Sequence, residues 1–159
     1  MAAHYFDASA LVKLYVFETG SLWVAQLVTS RLPGGEWQHA ISLSRIAIVE
    51  TAAALARRRR MGELAIDQQP LVYRRLLYDS RRRFQLLRLD DRTLDSAADL
   101  TQHHPLRGYD AVHLASALLL RDILLATNLP APIFICADAN LCAVANMEGL
   151  AVENPNDHP

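Results

Sequence analysis

The 159 residues suffice for one domain with its own core, and a composition 52% hydrophobic and 21% charged places the chain among ordinary globular proteins. A formal net charge of -1 excludes any global attraction to nucleic acid, so such binding must come from local basic clusters. Cys136 and Cys142 form no CxxC pair, and the N-terminus lacks a basic run followed by an apolar one, which predicts a reduced, cytoplasmic protein with no structural zinc and no signal peptide.

In chain order, Ala3 to Phe6 is a short apolar run with two aromatics, suited to a buried strand, and Ser9 to Tyr15 opens a helix. Leu22 to Ser30 is a second short helical pattern, and Leu32-Pro33-Gly34-Gly35 is a loop. Trp37 to Ser42 can hold a strand, after which Ser42 or Ser44 caps a long helix beginning near Leu43 and running to about Arg60, with Gly62 as the stop signal. Ile66 to Gln85 alternates apolar pairs with arginines and reads as one or two amphipathic helices. Leu86 to Leu89 is a strand candidate, and Asp90, Asp91 and Thr93 start a helix to about His103. A loop through Pro105 and Gly108 precedes a helix over Asp110 to Leu120, and Ile133 to Cys136 has strand composition. The stretch Ala111 to Ala126, broken by His113, Arg121 and Asp122, falls short of the roughly 20 apolar residues a membrane span requires. Asp138 opens another helix, Leu150 to Glu153 forms a last strand, and Asn154 to Pro159 is expected to fray. Short strands alternating with helices favour an α/β fold, a parallel sheet with helices on both faces and all strand carboxyl ends on one edge.

Four carboxylates bear on that edge: Asp7, Glu50, Asp110 and Asp138. Asp7 and Asp138 each follow a strand and precede a helix, where a ligand site and a helix cap make the same demand. Asp110 lies in a first helical turn, which the helix dipole favours. Glu50 shares its helical spacing with Leu43, Ile46, Ala47, Ala53 and Ala54. Either it lies on a buried stripe and needs a partner or a metal, or it lies on the margin and reaches water or an arginine. Carboxylates gathered on one edge repel, and a hard divalent cation relieves that conflict; oxygen ligands favour Mg²⁺ or Mn²⁺ over zinc.

The runs YFDASALVKLY, RIAIVETAAALARRRR, LRGYDAVHLASAL and FICADANLCAVA resemble, in order, the successive motifs of the PIN-domain nucleases, above all the VapC-type toxins of toxin–antitoxin pairs. The resemblance runs from about His4 to Val152 and implies a single PIN-like domain over 1–153, of three layers around a parallel sheet of about five strands. It further implies a Mg²⁺- or Mn²⁺-dependent endoribonuclease, RNA as substrate, a small cognate antitoxin and a homodimer. Asp7, Glu50 and Asp110 match the family's acidic triad and Asp138 its fourth acid; Asp7, Asp110 and Asp138 would hold the metal. Ser9 matches the small hydroxyl residue after the first Asp, and Asn140 stands where a second polar group can serve the site. The departure is Cys136, where Ser or Thr usually stands; a thiol is a poorer hydrogen-bond partner.

Among the other residues, His113 shares a helix face with Asp110 and reads as structural rather than as a ligand among hard oxygens. Arg57 to Arg60 and Arg81 to Arg83 are solvated faces, RNA-phosphate contacts or a docking face for an acidic partner. Lys13 and Arg107 stand near site motifs and could touch phosphate, while Trp23 and Trp37 read as core or dimer contacts. Two other functions fit an acidic strand edge: a catalytically silent PIN-like protein-binding module, and a receiver-type phosphoacceptor. The receiver reading suffers from Phe6, where an acidic pair should stand, and from the absence of any lysine beyond Lys13.

Overall fold

The structure is a computed structural model describing residues 2–158. Five parallel strands form one sheet in the order β3-β2-β1-β4-β5: β1 (Ala2–Phe6), β2 (His39–Ser44), β3 (Gln85–Leu87), β4 (Ile133–Ile135) and β5 (Ala151–Glu153). The chain starts in the middle, winds outward through β2 and β3, then crosses back to lay β4 on the other side of β1. The reversal between β1 and β4 creates the crevice where doubly wound sheets bind ligands, at the carboxyl ends of the strands.

Alternation along each strand sorts the core into two layers. Phe6, Ile41, Leu43 and Ile135 point to one face, covered by α1 (Ala8–Val12), α2 (Ser21–Thr29), α3 (Arg45–Arg60) and α4 (Gln68–Arg82). Tyr5, Phe134 and Cys136 point to the other, covered by α5 (Asp91–His103), α6 (Gly108–Ala126) and α7 (Ala139–Met147). No helix among the described residues is long and apolar enough to cross a membrane.

The α/β sheet matches the sequence reading, with shifted boundaries. β2 runs on to Ser44, so α3 starts at Arg45 rather than near Leu43, because Ser42, Leu43 and Ser44 pair with β3. The segment expected as one or two helices over 66–85 holds a single helix, α4 over Gln68–Arg82, with Gln85 already in β3, and α6 extends six residues past Leu120 along the α5 face.

The carboxyl terminus corrects the expectation of a frayed tail. Pro155–Asp157 form a 3-10 turn with Pro155 buried, Asn156 accepts from Lys13 Nζ at 2.8 Å, and His158 stacks on Trp23 at 4.2 Å. Polar composition hid this because the docking is mostly polar. It also relies on Gly20, whose backbone at φ +82° lies so near Pro155 that a Cβ there would sit 2.1 Å from its carbonyl oxygen. Pro159 lies outside the described residues.

Candidate active site

Asp7 ends β1 and caps α1: its Oδ1 accepts from Ala10 N at 2.9 Å. Ser9 Oγ lies 2.8 Å from both carboxylate oxygens, and Cys136 Sγ donates to Oδ2 at 3.3 Å. Only 4% exposed, Asp7 is pushed above the ordinary carboxylate range by burial, against the pull of His113 and these hydrogen bonds. The cap reading of Asp7 is therefore met through Ala10 N, while its second oxygen is held by Ser9 and Cys136.

Asp138 follows β4 and caps α7 through Leu141 N at 2.9 Å. Its backbone N–H donates to Cys136 Sγ at 3.3 Å, and Ala137 N donates to Ser9 Oγ at 2.8 Å. Cys136 thus links Asp7 to the loop carrying Asp138, which is the bridging task a hydroxyl would perform. Hydrogen bonding to Cys142 and burial push the Cys136 thiol up, so it remains a protonated donor towards Asp7.

Glu50 projects from α3, whose buried face is Ala47, Thr51 and Leu55, leaving the carboxylate on the margin at 28% exposed. Its partner is neither water alone nor an arginine: His113 Nε2 lies 2.6 Å from Glu50 Oε2. His113 itself is 2% exposed, and its Nδ1 lies 3.2 Å from the hydroxyl of the fully buried Tyr5. The i+3 spacing from Asp110 located this histidine on the right helix face, but nothing in the sequence tied it to Glu50 on another helix.

Asp110 sits in the first turn of α6, where Arg107 Nε donates to its Oδ2 at 2.9 Å. The same guanidinium lies 3.7 Å from Asp138 Oδ2 and is 80% exposed. Arg107 is the residue that sequence reasoning weighed only as a phosphate contact; here it spans two of the four acids, and its hydrogen bond to Asp110, then the charges of Asp138 and Glu50, raise its pKa. Asn140 does not join the acids: its Nδ2 donates to Pro105 O at 3.2 Å, fastening α7 to the loop that presents Arg107.

Two further basic residues are structural. Lys13, 5% exposed, binds Glu18, the Thr19 carbonyl and Asn156, and so is unavailable to phosphate. Arg83 donates to the Val28 and His39 carbonyls and stacks with Arg31 over Trp37.

Among the described residues no three His, Cys, Asp or Glu side chains stand close enough to hold a metal ion. The donor chemistry nevertheless fits a hard divalent cation, since the acids offer only oxygens. One exposed guanidinium already reaches two of them, so a cation in that place meets the same charges.

The sequence pattern that defines the PIN domain matches residues 4–128. The chain belongs to the PIN-domain family. Ribonuclease VapC45 and Ribonuclease VapC49, both of Mycobacterium tuberculosis, are each 38% identical to it over 125 residues, spanning 74% of this chain and 76% of theirs. PAE2754 of Pyrobaculum aerophilum superimposes with a TM-score of 0.62 at 17% identity, over 98% of this chain and 85% of that one. A toxin–antitoxin complex of Klebsiella pneumoniae gives 0.54 at 17% identity, over 96% and 97%. This PIN-domain chain therefore groups with VapC-type relatives, and the distant structures share its fold.

Proposed function

We propose that this PIN-domain protein is a Mg²⁺- or Mn²⁺-dependent endoribonuclease of the VapC type, with Asp7, Glu50, Asp110 and Asp138 as its acids. The observation that carries the reading is the pair Asp110 and Asp138 sharing one displaceable cation beside Asp7 and Glu50 at the reversal of the sheet. The ribonuclease names of relatives at 38% identity support it independently.

In this reading Asp7, Asp110 and Asp138 hold the ion, which when bound neutralises charge on the attacked phosphate and acidifies a water. Glu50, oriented by His113, accepts a proton from the attacking water. Ser9 fixes the Asp7 rotamer, and Arg107, released from the acids, becomes free to meet a phosphate. No side chain forms a covalent intermediate. A small cognate antitoxin as inhibitor, and a homodimer as the assembled form, complete the proposal. The antitoxin is supported by a structural neighbour solved as a toxin–antitoxin complex.

The test is cleavage of a mixed RNA pool by purified protein in Mg²⁺, Mn²⁺ or EDTA, with Asp7→Asn and Asp110→Asn alongside. Cutting that needs metal and is lost in both variants supports the nuclease and its centre. Cutting in EDTA, or cutting retained by both variants, refutes it.

A further inference from the structure

Two recesses open side by side next to the acids, and they share Glu50, Ala53 and Tyr109 as a common wall. One, of about 630 Å³, is lined beyond that wall by Ala54, Arg57, Arg58, Arg60, Met61 and Glu63, with Glu63 lying 3.7 Å from Arg58. The other, of about 440 Å³, is mainly apolar, with Ile46, Val49 and Leu89 as its lining and Arg45 at its side. Both lie along one helix, and their order follows from its register. Ile46, Glu50, Ala53, Ala54, Arg57 and Arg60 recur at spacings of three and four on α3, so they form a single stripe. At ~1.5 Å rise per residue, Arg57 stands about 10 Å and Arg60 about 15 Å along the axis from Glu50. The alanines between them leave a low floor.

Chemistry distinguishes the two ends. Among the described residues Arg57 and Arg60 pair with no carboxylate, unlike Arg58, which is held by Glu18 and Glu63. At the opposite end Val49 is exposed, and Tyr109, immediately before Asp110, is 60% exposed on the first turn of α6. An open aromatic ring beside an apolar recess suits the face of a nucleobase, and unpaired arginines suit phosphates. An acidic peptide fits less well, since it engages the arginine end alone and offers no flat ring to Tyr109 and the apolar recess.

We infer that Tyr109 and the Ile46–Val49–Leu89 recess take one unpaired base of the substrate strand, next to the acids, while Arg57 and Arg60 bind the phosphates of the neighbouring nucleotides. The inference rests on the ribonuclease reading above and adds to it a strand path and a recognition point. A base stacked inside a duplex cannot offer its face to Tyr109, so the strand must be single-stranded there. Selectivity among RNAs then arises at the recess lined by α3, Leu89 and Tyr109, whereas the arginines contribute affinity without sequence preference.

The experiment measures fluorescence anisotropy of a labelled mixed-sequence single-stranded RNA and of its blunt duplex. The full chain carries Asp7→Asn to silence cleavage. Expected are tighter binding of the single strand, a loss of about 5- to 100-fold for Tyr109→Ala, and retention by Tyr109→Phe. The Arg57→Ala, Arg60→Ala double variant should flatten the dependence of log affinity on log salt by about 1.4, two phosphates at roughly 0.7 each. Circular dichroism confirms that these surface variants fold. Equal binding of duplex and single strand, an unaffected Tyr109→Ala, or an unchanged salt slope overturns the inference. So does capture of a polyglutamate peptide that depends on the two arginines while RNA binding does not. If the wild type still cuts RNA in a metal-dependent way when any of these occurs, the path is wrong and the nuclease reading stands. Neither binding nor metal-dependent cutting of any RNA refutes both.

Discussion

Replacing His113 by Leu isolates the contact that holds Glu50. The substitution keeps an apolar side chain of similar bulk in the α6 core and removes both ring nitrogens. Two groups lose partners. Glu50 loses a 2.6 Å charge-assisted hydrogen bond, a class worth about 1.5–3 kcal/mol, but with 28% of the side chain exposed water recovers part of it and the lower end applies. The buried Tyr5 hydroxyl loses its 3.2 Å contact, for which an unsatisfied group would cost about 1–3 kcal/mol; the hydroxyls of Ser44 and Ser116 are near enough to replace it in part. The net destabilisation is about 2 kcal/mol, which for a chain of this size lowers Tm by roughly 4–8 °C. His113→Gln, which restores an N–H at similar reach, should recover more than half of the loss. Urea unfolding of the three proteins at pH 7 in EDTA measures this without any assumption about catalysis. A His113→Leu midpoint matching the wild type would refute the contact, and Gln no better than Leu would assign the loss to packing rather than to the hydrogen bond.

Three further perturbations follow from the structure. Asp7→Asn should raise stability at pH 7 in EDTA: burial raises the folded-state pKa of Asp7, so its charge costs stability above the unfolded carboxylate range and nothing below it, and the gain should fade towards pH 3 in urea titrations. Lys13→Met should cost about 2–4 kcal/mol at pH 7, since it strands Glu18, the Thr19 carbonyl and Asn156 although Glu18 keeps Arg58. Burial alone would raise Glu18, but Lys13 and Arg58 hold it below its ordinary pKa; that stabilisation is present above the unfolded value and lost as pH falls through the folded one, so the cost of Lys13→Met should shrink in acid. Gly20→Ala combines a positive φ with a clash against the Pro155 carbonyl, and should cost more than about 1 kcal/mol and free the carboxyl terminus to carboxypeptidase digestion.

The strands, and the places of Asp7 and Asp138 beyond two of them, were legible for one reason: both are local. Tyr5 and Phe6, or Phe134 and Ile135, announce a strand by composition, and an acid directly after a strand announces its own position on the sheet edge. Long-range pairings carry no such mark. Glu50 and His113 are 63 residues apart, and the packing of α6 against β2, the strand that leads into α3, brings them together. Arg107 is weighed in the sequence as a candidate phosphate contact because a guanidinium in a loop has no local signature of its partners, and Lys13 likewise because one of its three acceptors, Asn156, lies in the distant tail. The misread tail shows the same limit in reverse: Asn154 to His158 lacks an apolar stripe, so composition denied it a docking site that hydrogen bonds and one buried proline provide.

That docked tail also explains how the two acids at the reversal keep their spacing. Asn156 accepts from Lys13 at the end of α1 and donates through Nδ2 to the Ala137 carbonyl at 3.3 Å, one residue before Asp138. The Ala137 N–H meanwhile donates to Ser9, which is bonded to Asp7. The peptide unit preceding Asp138 and the helix following Asp7 are therefore clamped from two sides, by Ser9 near the sheet and by Asn156 at the surface. Strand pairing alone ends at Phe6 and Ile135 and leaves both acids one step or more beyond the ladder. Asp7 N still reaches the Ile135 carbonyl at 3.2 Å, but Asp138 has no such continuation, so its position depends on Cys136, Ser9 and Asn156 acting together. The carboxyl terminus is in this sense part of the site's framework, and loosening it should move Asp138 before it moves Asp7.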